Sequence, residues 1–160
     1  MKMTFSGSGP RMNRIACLGA LIGGLLLSVA ASPRKTAKQF LNLDGAKPPG
    51  YTHVVTSPPG RMIFVSGQGG TRDGKLPEDF AGQATNTFEN IRRCLALAGA
   101  KLDDIVKINY YLTDLKNTAE LRRIRANYLN MNAPPAATLV QVGLGGGLHL
   151  EVEAIAIVPE

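Results

Sequence analysis

Residues 79–113 read DFAGQATNTFENIRRCLALAGAKLDDIVKINYYLT, and the hydrophobic period changes once along them. In the first part Phe80, Ala84, Phe88, Ile91 and Leu95 recur every three or four residues, the spacing of one face of an α-helix. Asp79 stands where an N-cap belongs and Gly99 where a helix stops, so the pattern predicts a helix over about 79–98. From Asp104 to Thr113 the period falls to two. Val106, Ile108, Tyr110 and Leu112 point one way, and Lys107, Asn109 and Tyr111 the other. A one-sided helix running into a strand needs a sheet to cover, which predicts an α+β chain.

On the N-terminal side, Tyr51–Thr56 and Arg61–Ser66 are β-rich and flank Ser57-Pro58-Pro59-Gly60, which predicts a hairpin ending in Gly67-Gln68-Gly69-Gly70. On the C-terminal side, a second helix is expected over 117–130, with Leu121, Ile124, Tyr128 and Leu129 on its stripe and Pro134-Pro135 beyond it. Two last strands, at about 137–142 and 148–158, flank Gly143–Gly147, which reads as a long hairpin turn. Leu148, Leu150, Val152, Ala154 and Ala156 share one face of the final strand; His149, Glu151 and Glu153 stand on the other. The order β-β-α-β-α-β-β gives a two-layer α+β domain with both helices on one face of the sheet. The other face mixes apolar and polar groups (Tyr111, Glu151, Ile155, Ile157), and nothing in the chain covers it. Such a face predicts an oligomer.

The first 31 residues have a different character. Lys2, Arg11 and Arg14 precede the apolar run Ile15–Ala31, no acidic residue occurs up to its end, and it closes on Ser28-Val29-Ala30-Ala31. A basic flank, an apolar core and small residues predict a secretory signal peptide over 1–31, cut near Ala31–Ser32, with retention as an N-terminal anchor the competing reading. A periplasmic or secreted location follows, with no stable membrane association once the segment is removed. Residues 32–50, rich in Lys and Pro, read as a linker or loose arm, and 51–160 as the folded domain. The leader holds three of the 18 Lys+Arg and none of the 12 Asp+Glu, so the rest of the chain carries +3. Its basic residues are scattered, which argues against a nucleic-acid partner. Cys94 is alone after the leader and reads as a small core residue. Two histidines without clustered Cys/His spacing predict no metal site, and nothing in the pattern asks for a cofactor.

Candidate chemistry is sparse. The loop Gly143–Gly147 lies between strands and lacks the Lys and Ser/Thr of a phosphate loop. Glu151 and Glu153 share a strand face and read either as an acid–base pair or as two solvated or interface carboxylates. His53 has no identifiable partner for a general base and reads as a structural or surface residue. Arg122 and Arg123 read as a solvated helix face, whereas Arg125 borders the packed side.

Four blocks, in order, are similar to the RidA (YjgF/YER057c/UK114) family. F-V-S-G-Q-G-G at 64–70 resembles its strand and glycine turn, and N-T-F-E-N-I-R-R-C-L-A-L-A-G-A-K-L-D-D-I-V-K at 86–107 its helix–strand junction. Y-L-T-D at 111–114 and E-V-E-A-I-A at 151–156 complete the set, and P-G-Y-T-H-V-V at 49–55 resembles the family's entry strand. The resemblance implies a chorismate-mutase-like fold, with three subunits packing their sheets into a central barrel and small-molecule sites in the clefts between neighbours. It implies hydrolysis of enamines or imines, formed by pyridoxal-phosphate enzymes, to a keto acid and ammonia. Tyr51, Gly67 and Glu151 match the family's cleft positions.

In that family an arginine in a P-a-R-s block forks onto the substrate carboxylate. Here the block reads Pro135-Ala136-Ala137-Thr138, and Ala137 takes the arginine's place, as in the branch that lacks it. Losing such an anchor costs roughly 2–5 kcal/mol when the ligand's charge is left unpaired, so standard 2-aminoacrylate deaminase activity is not expected. Three readings follow. The protein has altered chemistry or ligand choice and takes a small metabolite in an intersubunit cleft; or it is a trimer that binds ligand without catalysis. Alternatively it is an enamine/imine deaminase (2-iminobutanoate/2-iminopropanoate type), in which Glu151 or backbone groups activate water and Arg125 holds the carboxylate. Export, away from cytoplasmic pyridoxal-phosphate enzymes, favours the first two.

Overall fold

The computed structural model describes residues 37–160. The signal peptide read over 1–31, and residues 32–36 of the arm, lie outside the described residues. The chain runs β1 (Gln39–Leu41), β2 (Val54–Thr56), β3 (Gly60–Gly69), α1 (Phe80–Leu97), β4 (Ile105–Leu112), α2 (Thr118–Arg125), β5 (Ala136–Gln141) and β6 (Leu150–Pro159). β3, β6, β4 and β5 form, in that order, a four-stranded mixed sheet, parallel only between β4 and β5. This is the two-helix α+β fold expected, with a different pairing of its strands.

α1 forms where its period says. The Asp79 side chain accepts a hydrogen bond from the Gly82 N–H at 2.8 Å, satisfying one of the free donors of the first turn. Phe88, Ile91 and Leu95 are fully buried against Ile63 and Val65 of β3, Ile108, Tyr110 and Leu112 of β4, and Leu150, Val152, Ala154 and Ala156 of β6. Each such aliphatic or aromatic side chain contributes about 1.5–3 kcal/mol through burial. α2 adds Leu121 and Ile124 to the same core, so both helices cover one face of the sheet. α2 is shorter than its pattern suggests, because the Arg125 carbonyl accepts from both Tyr128 N and Leu129 N and tightens the chain into turns. Tyr128 and Leu129 still pack inward, Tyr128 stacking on Phe88 with ring centroids 5.0 Å apart.

Two expected hairpins are absent. β2 pairs with β1, Phe40 opposite Val55, while β3 pairs with β6. Ser57 and Pro58 each precede a proline, which holds them in extended backbone and disfavours a tight reversal. The arm is therefore not loose throughout, since Gln39–Leu41 is a strand. β5 and β6 do not pair with each other either; β6 enters the sheet between β3 and β4. The glycine loop between them is instead drawn to the start of α1 by Gln83, which is almost fully buried. Its amide donates to Pro77 O (2.9 Å) and Gly147 O (3.0 Å) and accepts from His149 N (2.7 Å).

Candidate functional site

Cross-strand partners share a face of a sheet. Ala137 is paired with Ile108, which points into the core, whereas Glu151 is paired with Tyr111, on the uncovered face. One chain therefore separates the expected site residues into two groups: Tyr51, Arg125 and Ala137 on one side, Gly67 and Glu151 on the other.

The first group borders a cavity of about 200 Å³ at the β5 edge, between that strand and α2. The segment carrying Tyr51, just before β2, is held there by Thr52, whose N–H and hydroxyl donate to Pro135 O (3.2 Å) and Pro134 O (2.7 Å). Arg125 projects from the last turn of α2 and is only 6% exposed. Its Nη2 donates a long hydrogen bond to Pro49 O (3.4 Å), and its guanidinium carbon stands 5.7 Å from the centroid of the Tyr110 ring. Its Nε has no hydrogen-bond partner, and among the described residues no carboxylate pairs with it. Tyr110 lines the same cavity, and its hydroxyl is buried behind that lining with the Arg125 guanidinium as its polar neighbour. Burial pushes the Tyr110 hydroxyl up to about 12 against the opposing pull of the Arg125 guanidinium, so the phenol is neutral and cannot balance the arginine's charge.

Gly50 makes this placement possible. Its backbone has φ +84°, and a Cβ there would overlap the Arg125 guanidinium. Neither Gly50 nor the Tyr110 hydroxyl stood out in the sequence, where Tyr110 reads simply as a core position. A tyrosine among aliphatic inward positions, with an arginine bordering the packed side of the next helix, is the signal that was there to find.

The second group lies on the uncovered face. Gly67, in the irregular stretch of β3 between Val65 and Gln68, leaves room for the Glu151 carboxylate, which a Cβ at that position would strike. Glu153 faces the same way as Glu151, as the alternation requires, and accepts hydrogen bonds from Asn109 Nδ2 (2.7 Å) and Tyr111 Oη (2.8 Å). The Asn109 and Tyr111 donors hold its carboxyl below the ordinary carboxylate value, and donating to Glu153 raises Tyr111 above the usual phenol. A carboxylate so held is poorly suited to taking up a proton near neutral pH. Beside it, Lys107 Nζ donates to Thr138 Oγ1 at 2.7 Å. Phe64 is 70% exposed and Met62 55% exposed on this face.

The remaining candidates have local roles. His53 is tied to the arm through Asn42 Oδ1, which accepts from His53 N (2.9 Å), and packs edge-on against Tyr51. His149 is held by its N–H to Gln83 and by its ring against Glu78 O at 3.1 Å. Arg123 pairs with Glu120 at the surface. Arg122, exposed, lines the cavity with Arg125.

The comparisons agree with this architecture. The family model described as Endoribonuclease L-PSP matches residues 46–158. The chain is 34% identical over 108 residues to protein HMF1 of Saccharomyces cerevisiae, covering 66% of this chain and 82% of that one. It is 36% identical over 113 residues to the RutC family protein YjgH of Escherichia coli, covering 69% and 84%. Among solved structures, RidA from the Antarctic bacterium Psychrobacter superposes with a TM-score of 0.59 at 35% identity, over 75% of this chain and 99% of that one. TdcF of E. coli, solved with bound serine, gives 0.58 at 31% identity, over 70% and 94%. A matched span that takes in β2 through β6 with both helices, and a superposition covering 99% of a RidA chain, make this chain a member of the RidA (YjgF/YER057c/UK114) family.

Proposed function

We propose that this protein is an exported homotrimer that binds or acts on a small metabolite at the cavity between α2 and β5, without standard 2-aminoacrylate deaminase activity. The observation that carries this reading is Ala137 on the cavity wall, where a strand guanidinium would have forked onto a carboxylate. Without that anchor the imine is not oriented for attack by water, and each 1.4 kcal/mol of lost orientation is roughly tenfold in rate. Semicarbazide trapping tests it, with the imine generated by an amino-acid oxidase or by threonine dehydratase acting on serine. The wild type leaves trapping at the background level; suppression as strong as that of an arginine-bearing relative would overturn the reading.

The exposed Phe64 and Met62 support burial of the open face in a trimer. Light scattering of the chain from Ser32 onward checks this, and a folded monomer at micromolar concentration contradicts it. Export rests on the basic, apolar and small-residue order of 1–31. Full-length protein recovered from the cytoplasm of its own cells would refute it.

Arg125 favours a second reading, an enamine/imine deaminase with an altered site, because it supplies a different cation to the same cavity. The same trapping assay separates the two.

A further inference from the structure

Resting on the small-metabolite reading of this cavity, we infer that its anchor has moved from strand to helix and selects a ligand with two negative charges. Arg125, more than nine-tenths buried, lines this cavity with no carboxylate partner among the described residues, and its Nε is without a hydrogen bond. A buried polar group without a partner is costly, and a guanidinium more so, unless something else supplies the acceptor. An anionic oxygen supplies it, with the geometry a guanidinium recognises best.

The second charge follows from the rim. A wider cavity of about 400 Å³ adjoins the first, sharing Pro49, Arg122 and Arg125 with it and adding Lys47. Neither lining contains an aspartate or glutamate. Arg92 and Arg123 are paired with Glu89 and Glu120, whereas Arg122, like Arg93 on α1, has no carboxylate partner among the described residues. The cavity thus has one cation at its floor and two at its mouth, with no internal counter-charge. Arg122 and Arg125 are three residues apart on one helix, which sets their Cβ atoms about 5–6 Å apart. A short dicarboxylate matches this arrangement: one carboxylate sits on Arg125, and the other lies at Arg122 and Lys47.

Titration calorimetry on the full chain tests this with 2-oxoglutarate and 2-oxopentanoate, which share a five-carbon chain and a keto acid end but differ in the second carboxylate. 2-Oxoglutarate binds at least about tenfold more tightly. Arg122→Ala, at an exposed position, removes most of that difference while sparing 2-oxopentanoate. Arg125→Met, checked for folding by circular dichroism, loses both ligands. Equal affinities in the wild type, no binding of either acid, or Arg125→Met binding as the wild type does would each overturn the inference. The charge preference is read without any hydrolysis, so it stands or falls separately from the trapping assay.

Discussion

Gly50 and Gly67 each leave room for a charged side chain, Arg125 in one case and Glu151 in the other, yet the two regions handle charge in opposite ways. On the uncovered sheet face the neighbouring carboxylate, Glu153, is answered by its own chain through Asn109 and Tyr111. In the α2–β5 cavity the guanidinium is buried and its own chain offers it a single long bond to a carbonyl. A polar group satisfied by its neighbours stabilises the fold. One that is buried and left short of partners marks where the fold has given up stability in favour of something that binds.

The two glycines give the sharpest test. Gly50→Ala meets a buried guanidinium and an unfavourable positive φ, and is expected to lose about 3 kcal/mol in urea unfolding. Gly67→Ala strikes the end of a flexible side chain and carries no positive φ, and is expected to lose no more than about 1 kcal/mol. Equal losses would show that the cavity is no more tightly built than the open face.

Tyr110→Phe removes a buried hydroxyl that has no partner. It is expected to raise stability by about 1–2 kcal/mol. Destabilisation on thermal unfolding would mean that the hydroxyl is already satisfied in the assembled protein, and the contrast between the two regions would fail.

The smallest effect lies on the open face. Glu153→Gln is expected to cost about 1 kcal/mol at pH 7, through the loss of two hydrogen bonds to a charged acceptor. Asn109 and Tyr111 favour the ionised carboxylate and lower its pKa from 4.5. Its contribution is therefore present above that value and disappears as pH falls through the lower folded value. The stability gap between wild type and Glu153→Gln, measured by denaturant unfolding from pH 7 to pH 3, should narrow only below about pH 4.5. A gap that is flat over this range would show that the hydrogen bonds do not depend on the charge.

The sequence by itself determined which residues turn inward. The helical repeat from Phe80 to Leu95 and its Asp79 cap appear as read, as do the alternation in β6, that of β4 from Ile108 to Leu112, and the placement of Glu151 and Glu153 on one face, because period and capping are local properties of the chain. At the start of β4 an irregularity between Ile105 and Lys107 turns Ile105 inward in place of Val106. The sequence also carried the family, since the order of its blocks is a matter of residue order. Strand partners were decided only by the tertiary structure: a period of two states which face a residue takes but not which strand lies beside it, so β2 went to β1, and β6 came between β3 and β4. The same holds for the cavity. Arg125, Tyr110 and Gly50 are far apart in sequence, and their meeting in a space without a counter-charge depends on how α2 packs against β4 and the arm.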